Sequence, residues 1–319
     1  MSKPQSDYIP ESELRKAIEA YGLVADSIER ITKGTCYALV YKVRCGDKDY
    51  IVRIRNEMAT EQDIIFARKW GQAVSAEVPV PIPLMPLCNI PRIANRCVEI
   101  APYIEHDSDD ASDSLQAWVT VGEWVGRMHR LGIPLSEESP IDLPYGNYPN
   151  DRLINTYRDH FQIALPDQKL HLLQAEELLK QSQHFIEPYR KSLISGVVHG
   201  DMHFWNVLYS EGNSVAIIDL DFLQRGYLIA DISYACIWLD AWEKERGAEW
   251  VGVMEKYIKA YEFGRQNPLN IAERECLLWF RVLTHISFFF QSSWGEFEEG
   301  LRDLQTAKAL VQRYQLDIQ

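Results

Sequence analysis

The stretch Val197-Val198-His199-Gly200-Asp201-Met202-His203-Phe204-Trp205-Asn206-Val207-Leu208-Tyr209, with Val215-Ala216-Ile217-Ile218-Asp219-Leu220-Asp221-Phe222 after it, constrains this chain more than any other. Its apolar runs are β-rich and too short for a typical helix, so they predict strands, with polar residues where each strand hands over to a loop. The carboxylates are thereby placed at strand tips. Asp201 and Asn206 are separated by four residues, and Asp219 follows after the turn signal Glu211-Gly212-Asn213 and one more buried strand.

That layout matches the needs of phosphoryl transfer. Such a reaction seats Mg²⁺ against the β- and γ-phosphates of ATP and aims an attacking hydroxyl in line with the leaving group. A carboxylate and a carboxamide suit the metal, which prefers hard oxygen ligands and keeps some of its waters. A second carboxylate, kept off the metal, accepts the hydroxyl proton. Protein kinases use H-R-D-x-x-x-x-N and then D-F-G for these roles. His199-Gly200-Asp201 with Asn206, then Asp219-Leu220-Asp221, repeats the order and the first spacing, with Gly200 in place of the arginine. His199 and His203, four residues apart, could also be half of a zinc site, but no H-E-x-x-H motif and no nearby Cys or His completes one.

The pattern H-G-D-x-H-x-x-N-V-L followed by I-D-x-D resembles the aminoglycoside phosphotransferase and choline kinase-like family, which shares the two-lobed protein-kinase architecture. The resemblance implies an α+β fold: a small antiparallel sheet plus helix as N-lobe and a mainly helical C-lobe. It implies Asp201 as catalytic base and Asn206 and Asp219 as metal ligands, with Asp221 either on a second metal or supporting the first from behind. His203, in the same loop, is grouped with the cofactor-binding residues. The run Arg225-Gly226-Tyr227-Leu228-Ile229-Ala230-Asp231-Ile232 matches the family's G-x-x-x-x-D-[IL], which implies that Asp231 accepts hydrogen bonds from the backbone of the catalytic loop.

Earlier in the chain, three strand-like segments, 27–32, 36–44 and 49–55, follow an amphipathic helix over 11–21 and read as an antiparallel meander. The turn Lys33-Gly34-Thr35 between the first two is an ordinary hairpin on its own; by the resemblance, Gly34 and Thr35 meet the nucleotide phosphates. In Tyr50-Ile51-Val52-Arg53-Ile54-Arg55 the third strand carries Arg53 where kinases have the V-A-I-K lysine. Its alternation with Ile51 points it inward, and a guanidinium grips phosphate oxygens well. Glu61, in the helix expected over 60–70, is the first choice for its ion-pair partner, with Glu57 and Asp63 as rivals.

The alternating prolines of Glu77-Val78-Pro79-Val80-Pro81-Ile82-Pro83 force extended geometry. A strand over 96–103 then ends at Ala101-Pro102-Tyr103; by resemblance it is the inter-lobe hinge, where backbone groups of Glu99, Ala101 and Tyr103 hold the adenine edge. A helix over 115–131 has Trp118, Val121, Val125 and Met128 on one stripe, with Gly122 and Gly126 permitting close packing, and its His129 reads as structural. Four further helices are expected, over 230–239, 249–263, 271–291 and 297–314. They are crowded with aromatics and flanked by acids that would attract an amine-bearing substrate.

With 319 residues, the chain has length enough for two lobes, 1–101 binding nucleotide and 102–319 carrying catalysis and substrate. A net charge of -13 argues against nucleic acid or an anionic membrane as the main partner. Six scattered cysteines without a C-x-x-C pair fit reduced thiols in a cytoplasmic protein. No apolar run is long enough to span a membrane. The expected function is transfer of the γ-phosphoryl group of ATP, with Mg²⁺, to a hydroxyl of a small molecule such as an aminoglycoside or another hydroxylated amine or antibiotic. The alternatives are a bacterial stress-response-type Ser/Thr protein kinase and a catalytically silent nucleotide-binding module.

Overall fold

The structure is a computed structural model and describes residues 9–32, 38–57, 59–107, 114–140, 159, 161–246, 250–292 and 297–317. Strands β1 (Ser27–Ile31), β2 (Leu39–Cys45) and β3 (Lys48–Ile54) form the expected meander, and β5 (Arg96–Pro102) joins the free edge of β3, with the two-residue β4 (Arg92–Ile93) outside it. Residues of one parity on these strands, Leu39, Tyr41, Val43, Val52, Ile54, Val98 and Ile100, are buried against Leu14, Ala17 and Ile18 of helix α1 (Glu11–Glu19). That is the smaller of the two main cores. Helix α2 (Glu61–Val74) starts at a capping box, the Thr60 side chain accepting from Asp63 N–H while the Asp63 carboxylate accepts from Thr60 N–H. Its Phe66, Ala67, Trp70 and Val74 pack into the larger core with α3 (Leu115–Gly132), not onto the sheet.

The proline-rich segment ties the two cores together. Leu84 N–H donates to Ile100 O of β5 at 2.7 Å, and Pro79 O accepts from Ile217 N–H at 3.0 Å. Ile217 ends β8 (Asn213–Ile217), which pairs with β7 (Val207–Ser210); β6 (Ser195–Val198) pairs with β9 (Gln224–Tyr227). Around these short ladders pack α3, α4 (Pro166–Ile186), α5 (Ile229–Arg246), α6 (Val253–Arg265), α7 (Ile271–Ser292) and α8 (Phe297–Asp317).

The expected glycine contact is present: a Cβ at Gly122 would stand 2.7 Å from Tyr257 O and one at Gly126 would stand 2.6 Å from Arg265 N, so α3 and α6 touch backbone to backbone. That approach carries Tyr261 of α6 to His129 of α3. Helix α5 is buried on almost every side over Ile229–Ile237 and forms the floor under the loop that follows β6. Cys45, Cys88, Cys97, Cys236 and Cys276 are free thiols. Among the described residues no helix is long and apolar enough to cross a membrane.

Candidate active site

The chain leaves β6 through His199 and Gly200 into Asp201. Gly200 has φ +81°, and a Cβ there would lie 2.5 Å from both Phe222 O and Gln224 Nε2, so only glycine fits. Asp231, buried in the first turn of α5, fixes this bend: its Oδ2 accepts from His199 N–H at 2.7 Å and its Oδ1 from Gly200 N–H at 2.9 Å. His129 Nε2 lies 2.9 Å from Asp231 Oδ2, while its Nδ1 meets the Tyr261 hydroxyl at 3.0 Å. Burial pushes the Asp231 carboxyl up, but the hydrogen bond and charge of His129 and the donating Gly200 N–H more than offset it, and the group sits below the usual carboxylate range.

Asp201 is therefore aimed from a braced loop. The Tyr234 hydroxyl donates to its Oδ1 at 2.7 Å, and Asn206 Nδ2 donates to its Oδ2 at 3.1 Å and to its carbonyl at 2.7 Å. His203 Nε2 lies 3.3 Å from Oδ2. Burial raises the carboxyl, whereas the His203 contact and the Tyr234 hydroxyl lower it by more, and Asp201 stays ionised below the ordinary range. With its amide nitrogen committed to Asp201, Asn206 has its amide oxygen left for another ligand.

The second half of the site follows β8. Ile218 N–H donates to Asn206 O at 2.8 Å, which sets Asp219 beside the Asp201–Asn206 loop. Asp219 adopts φ 61°, ψ 70°, a left-handed conformation costly for a residue with a Cβ and of the kind that collects at functional sites. Its Oδ1 accepts from Arg53 Nη2 of β3 at 2.9 Å. Arg53 Nη1 is 2.8 Å from Asp221 Oδ1 and 3.9 Å from Glu99 Oε1, and Arg55, on the same face of β3, pairs with Glu99 at 2.5 Å and with Asp221 at 3.0 Å. Two guanidinium groups thus meet three carboxyl groups. Burial raises Asp219, but the Arg53 charge and hydrogen bond hold it far below the usual range; burial lifts the more enclosed Asp221, its neighbour Asp219 adding to the effect.

Asn206 and Asp219 offer hard oxygens, the donor chemistry Mg²⁺ selects, and the side chain of Asp219 keeps 31% of its exposure. When bound, the ion would neutralise charge developing on the phosphate oxygens. No cluster of three or more His, Cys, Asp or Glu suited to a metal occurs among the described residues, so phosphate and water would have to complete the coordination. The half-zinc alternative gains no further ligands: no group of three or more His, Cys, Asp or Glu suited to a metal includes His199 and His203 among the described residues, and His199 Nε2 meets Ile218 O at 2.9 Å.

Several expected positions differ from the sequence reading. Glu61 does not reach Arg53: as the first residue of α2 it points to the surface and pairs with Arg92 at 3.2 Å. Asp63 is held in the capping box and Glu57 is exposed. The acids that hold Arg53 come instead from a strand and a loop. Glu99 stands opposite Arg53 in the β3–β5 register, which brings it to the guanidinium where a helix glutamate was expected.

The same register corrects the hinge. Tyr103 N–H donates to Asp49 O at 3.0 Å and Arg55 N–H to Cys97 O at 2.9 Å. The alternation of an antiparallel ladder then turns the backbone groups of Glu99, Ala101 and Tyr103 toward β3, and that of Pro102 away from it. His203 is placed against Asp201, and Asp221 lies between two arginines, its Oδ1 spanned by both. Gly34 and Thr35 lie outside the described residues. Arg55 and Tyr234 were missed. Arg55 is two residues from Arg53 and so on the same strand face, and Tyr234 is three residues beyond Asp231 on a helix, so both spacings were available as signals.

A small antiparallel sheet set over a helical body, with a braced Asp–Asn loop and an arginine reaching across to the acid that follows, defines a protein-kinase-like phosphotransferase. The chain belongs to the phosphotransferase enzyme family whose model it matches over residues 27–268. Among solved structures it is similar to an amicoumacin kinase in complex with AMP-PNP, Ca2+ and Ami, with 20% identity, TM-score 0.72 and coverage of 95% of this chain and 94% of that one. It is also similar to a microcompartment-associated aminopropanol kinase, with 18% identity, TM-score 0.69 and 97% and 98% coverage. A spectinomycin phosphotransferase in complex with ADP and spectinomycin follows at 16% identity, TM-score 0.63 and 94% and 98% coverage. No curated protein matches the chain significantly by sequence.

Proposed function

We propose that the protein transfers the γ-phosphoryl group of ATP to a hydroxyl of a small molecule, with Mg²⁺ held by Asn206 and Asp219. The observation that carries this reading is the convergence of Asp201, Asn206 and Asp219: Asn206 donates to Asp201 through its side chain and accepts from Ile218, next to Asp219, through its backbone. Residues 1–101 would serve as the nucleotide-binding lobe and 102–319 as the lobe that brings the acceptor. Arg53 would contact phosphate oxygens from β3 while its other partners keep it in place. The adenine edge would meet the carbonyl of Pro102, the strand-end group directed away from β3.

In the transfer itself, ionised Asp201 would accept the proton of the attacking hydroxyl. Tyr234 and Asn206 would hold its carboxylate in one orientation, and the oxygen attack would proceed in line with the departing ADP. The test is ADP release from ATP and Mg²⁺ across a panel of hydroxylated amines, with mass spectrometry of the acceptor. A phosphoester on the small molecule, in step with ADP, is the expected result. Label transferred only to protein side chains, or no ADP above a heat-treated control, overturns it.

A further inference from the structure

Beside Asp201 a series of aromatic rings runs outward to solvent. Tyr234, whose hydroxyl touches Asp201 Oδ1, lies with its ring centroid 5.5 Å from Phe288, edge to face, and 6.1 Å from His203. Trp238, one turn further along α5, is 6.2 Å from Phe288 and 5.5 Å from Trp205. Trp205 belongs to the catalytic loop itself, sits 5.5 Å from His203 and leaves 53% of its surface in water. A single exposed indole is unremarkable. Here the exposed ring continues a row that leads inward to the hydroxyl holding the catalytic base.

Two acids of α5 beyond Trp238 have partners of their own. Asp240 Oδ2 pairs with Lys244 at 2.9 Å and with Arg281 at 3.4 Å, and Glu243 Oε1 accepts from Gly252 N–H at 3.1 Å. Asp240 is thus neutralised by the chain's own cations, whereas a flat apolar body would cover ring surface now in water, at about 25 cal/mol per Å².

Resting on the phosphotransfer reading, we infer that Trp205 and Trp238 form the acceptor-binding wall, and that the acceptor is an alcohol on a flat, largely apolar ring system with at most one ammonium group. The hydroxyl oxygen forms the new bond to the γ-phosphorus as the bond from that phosphorus to the β–γ bridging oxygen breaks. ADP leaves with the electron pair, and the hydroxyl proton goes to Asp201. An ammonium group beside the ring would gain a cation–π contact with an indole face.

The experiment is calorimetry on the full chain saturated with AMP-PNP and Mg²⁺, using 2-amino-1-phenylethanol, ethanolamine and kanamycin as probes. Saturable binding of 2-amino-1-phenylethanol, roughly tenfold or more tighter than either other probe, is expected. Trp205→Ala should weaken it about tenfold while Trp205→Phe stays within about threefold, because a phenyl face still stacks. Acceptor-independent ATP hydrolysis by the wild type, measured alongside, reports on phosphotransfer separately from the wall. Preferential binding of kanamycin, absence of saturable binding of the aromatic probe, or indifference to Trp205→Ala overturns the wall. Loss of wild-type ATP hydrolysis would instead count against phosphotransfer, leaving the binding comparison to judge the wall by itself.

Discussion

Arg53 Nη2 lies 2.9 Å from Asp219 Oδ1, a hydrogen-bonded ion pair between residues 166 positions apart that joins the last strand of the meander to the segment just after β8. With the 2.8 Å contact from Arg53 Nη1 to Asp221, it links the sheet to the segment after β8. Removing one partner of a largely buried pair leaves the other charge uncompensated, which typically costs about 3–5 kcal/mol.

Arg53→Met should therefore both destabilise the fold and abolish ATP-analogue binding, seen as a lowered Tm and a flat calorimetric trace. Arg53→Lys keeps the charge but reaches fewer oxygens at once. It should retain most of the stability and bind the nucleotide roughly tenfold more weakly. Equal behaviour of the two variants would show that charge is irrelevant at this position.

On the proposed reading, in which the Asp201 carboxylate serves proton transfer and not nucleotide binding, Asp201→Asn should reduce kcat by about 10²–10⁴ while leaving AMP-PNP affinity near that of the wild type. Tyr234→Phe is the subtler probe. Its hydroxyl helps to hold the Asp201 carboxyl below the usual range, so deleting it moves that titration upward. A base works only when ionised, so the acid limb of the kcat/KM profile should move to higher pH. An acid limb that stays in place would remove Tyr234 from this role.

Asp231→Asn tests the brace under the catalytic loop. The buried carboxylate accepts from two backbone amides and contacts His129, and its titration lies below the unfolded value of about 3.9. Its contribution to stability is accordingly present above that value and lost as pH falls through the folded-state one. The variant should be about 3 kcal/mol less stable at neutral pH, and urea titrations from pH 7 to 3 should show a flatter dependence than the wild type. Parallel curves would mean that the carboxylate charge is not what holds the loop.

Gly200→Ala and Gly212→Ala separate crowding from backbone strain. Both glycines have positive φ, but only at Gly200 would a Cβ meet Phe222 O and Gln224 Nε2; at Gly212 nothing stands within 4 Å. Gly212→Ala should cost about 1 kcal/mol and leave turnover intact. Gly200→Ala should cost about 2–3 kcal/mol and lower kcat roughly a hundredfold, because Asp201 moves with the displaced loop. Chemical denaturation and steady-state kinetics on the pair decide the matter.

The catalytic loop was the most legible part of the sequence. His199-Gly200-Asp201, Asn206, Asp219 and Asp231 carry close, local spacings, and the structure brings all of them to one place. Element types were read well for the same reason: the period of apolar positions in β2, α3 and α7 reports which face is buried. The partner of Arg53 was not legible. Glu61, Glu57 and Asp63 were each acceptable by proximity along the chain, yet the β3–β5 register set Glu99 opposite Arg53, and the chain beyond β8 supplied Asp219 and Asp221.

Sequence alone determined which residues could do chemistry and on what kind of element each would stand, because periodicity, turn residues and short spacings act within a few residues of backbone. Tertiary structure decided which charges neutralise one another, which strand-end carbonyl is left unpaired by the ladder, and that the outermost ring of the aromatic row belongs to the catalytic loop. Those outcomes depend on strand register and on helices meeting at backbone contact. A shift of one residue in register would reverse the face on which every side chain of a strand lies, and no local pattern in the chain records that choice.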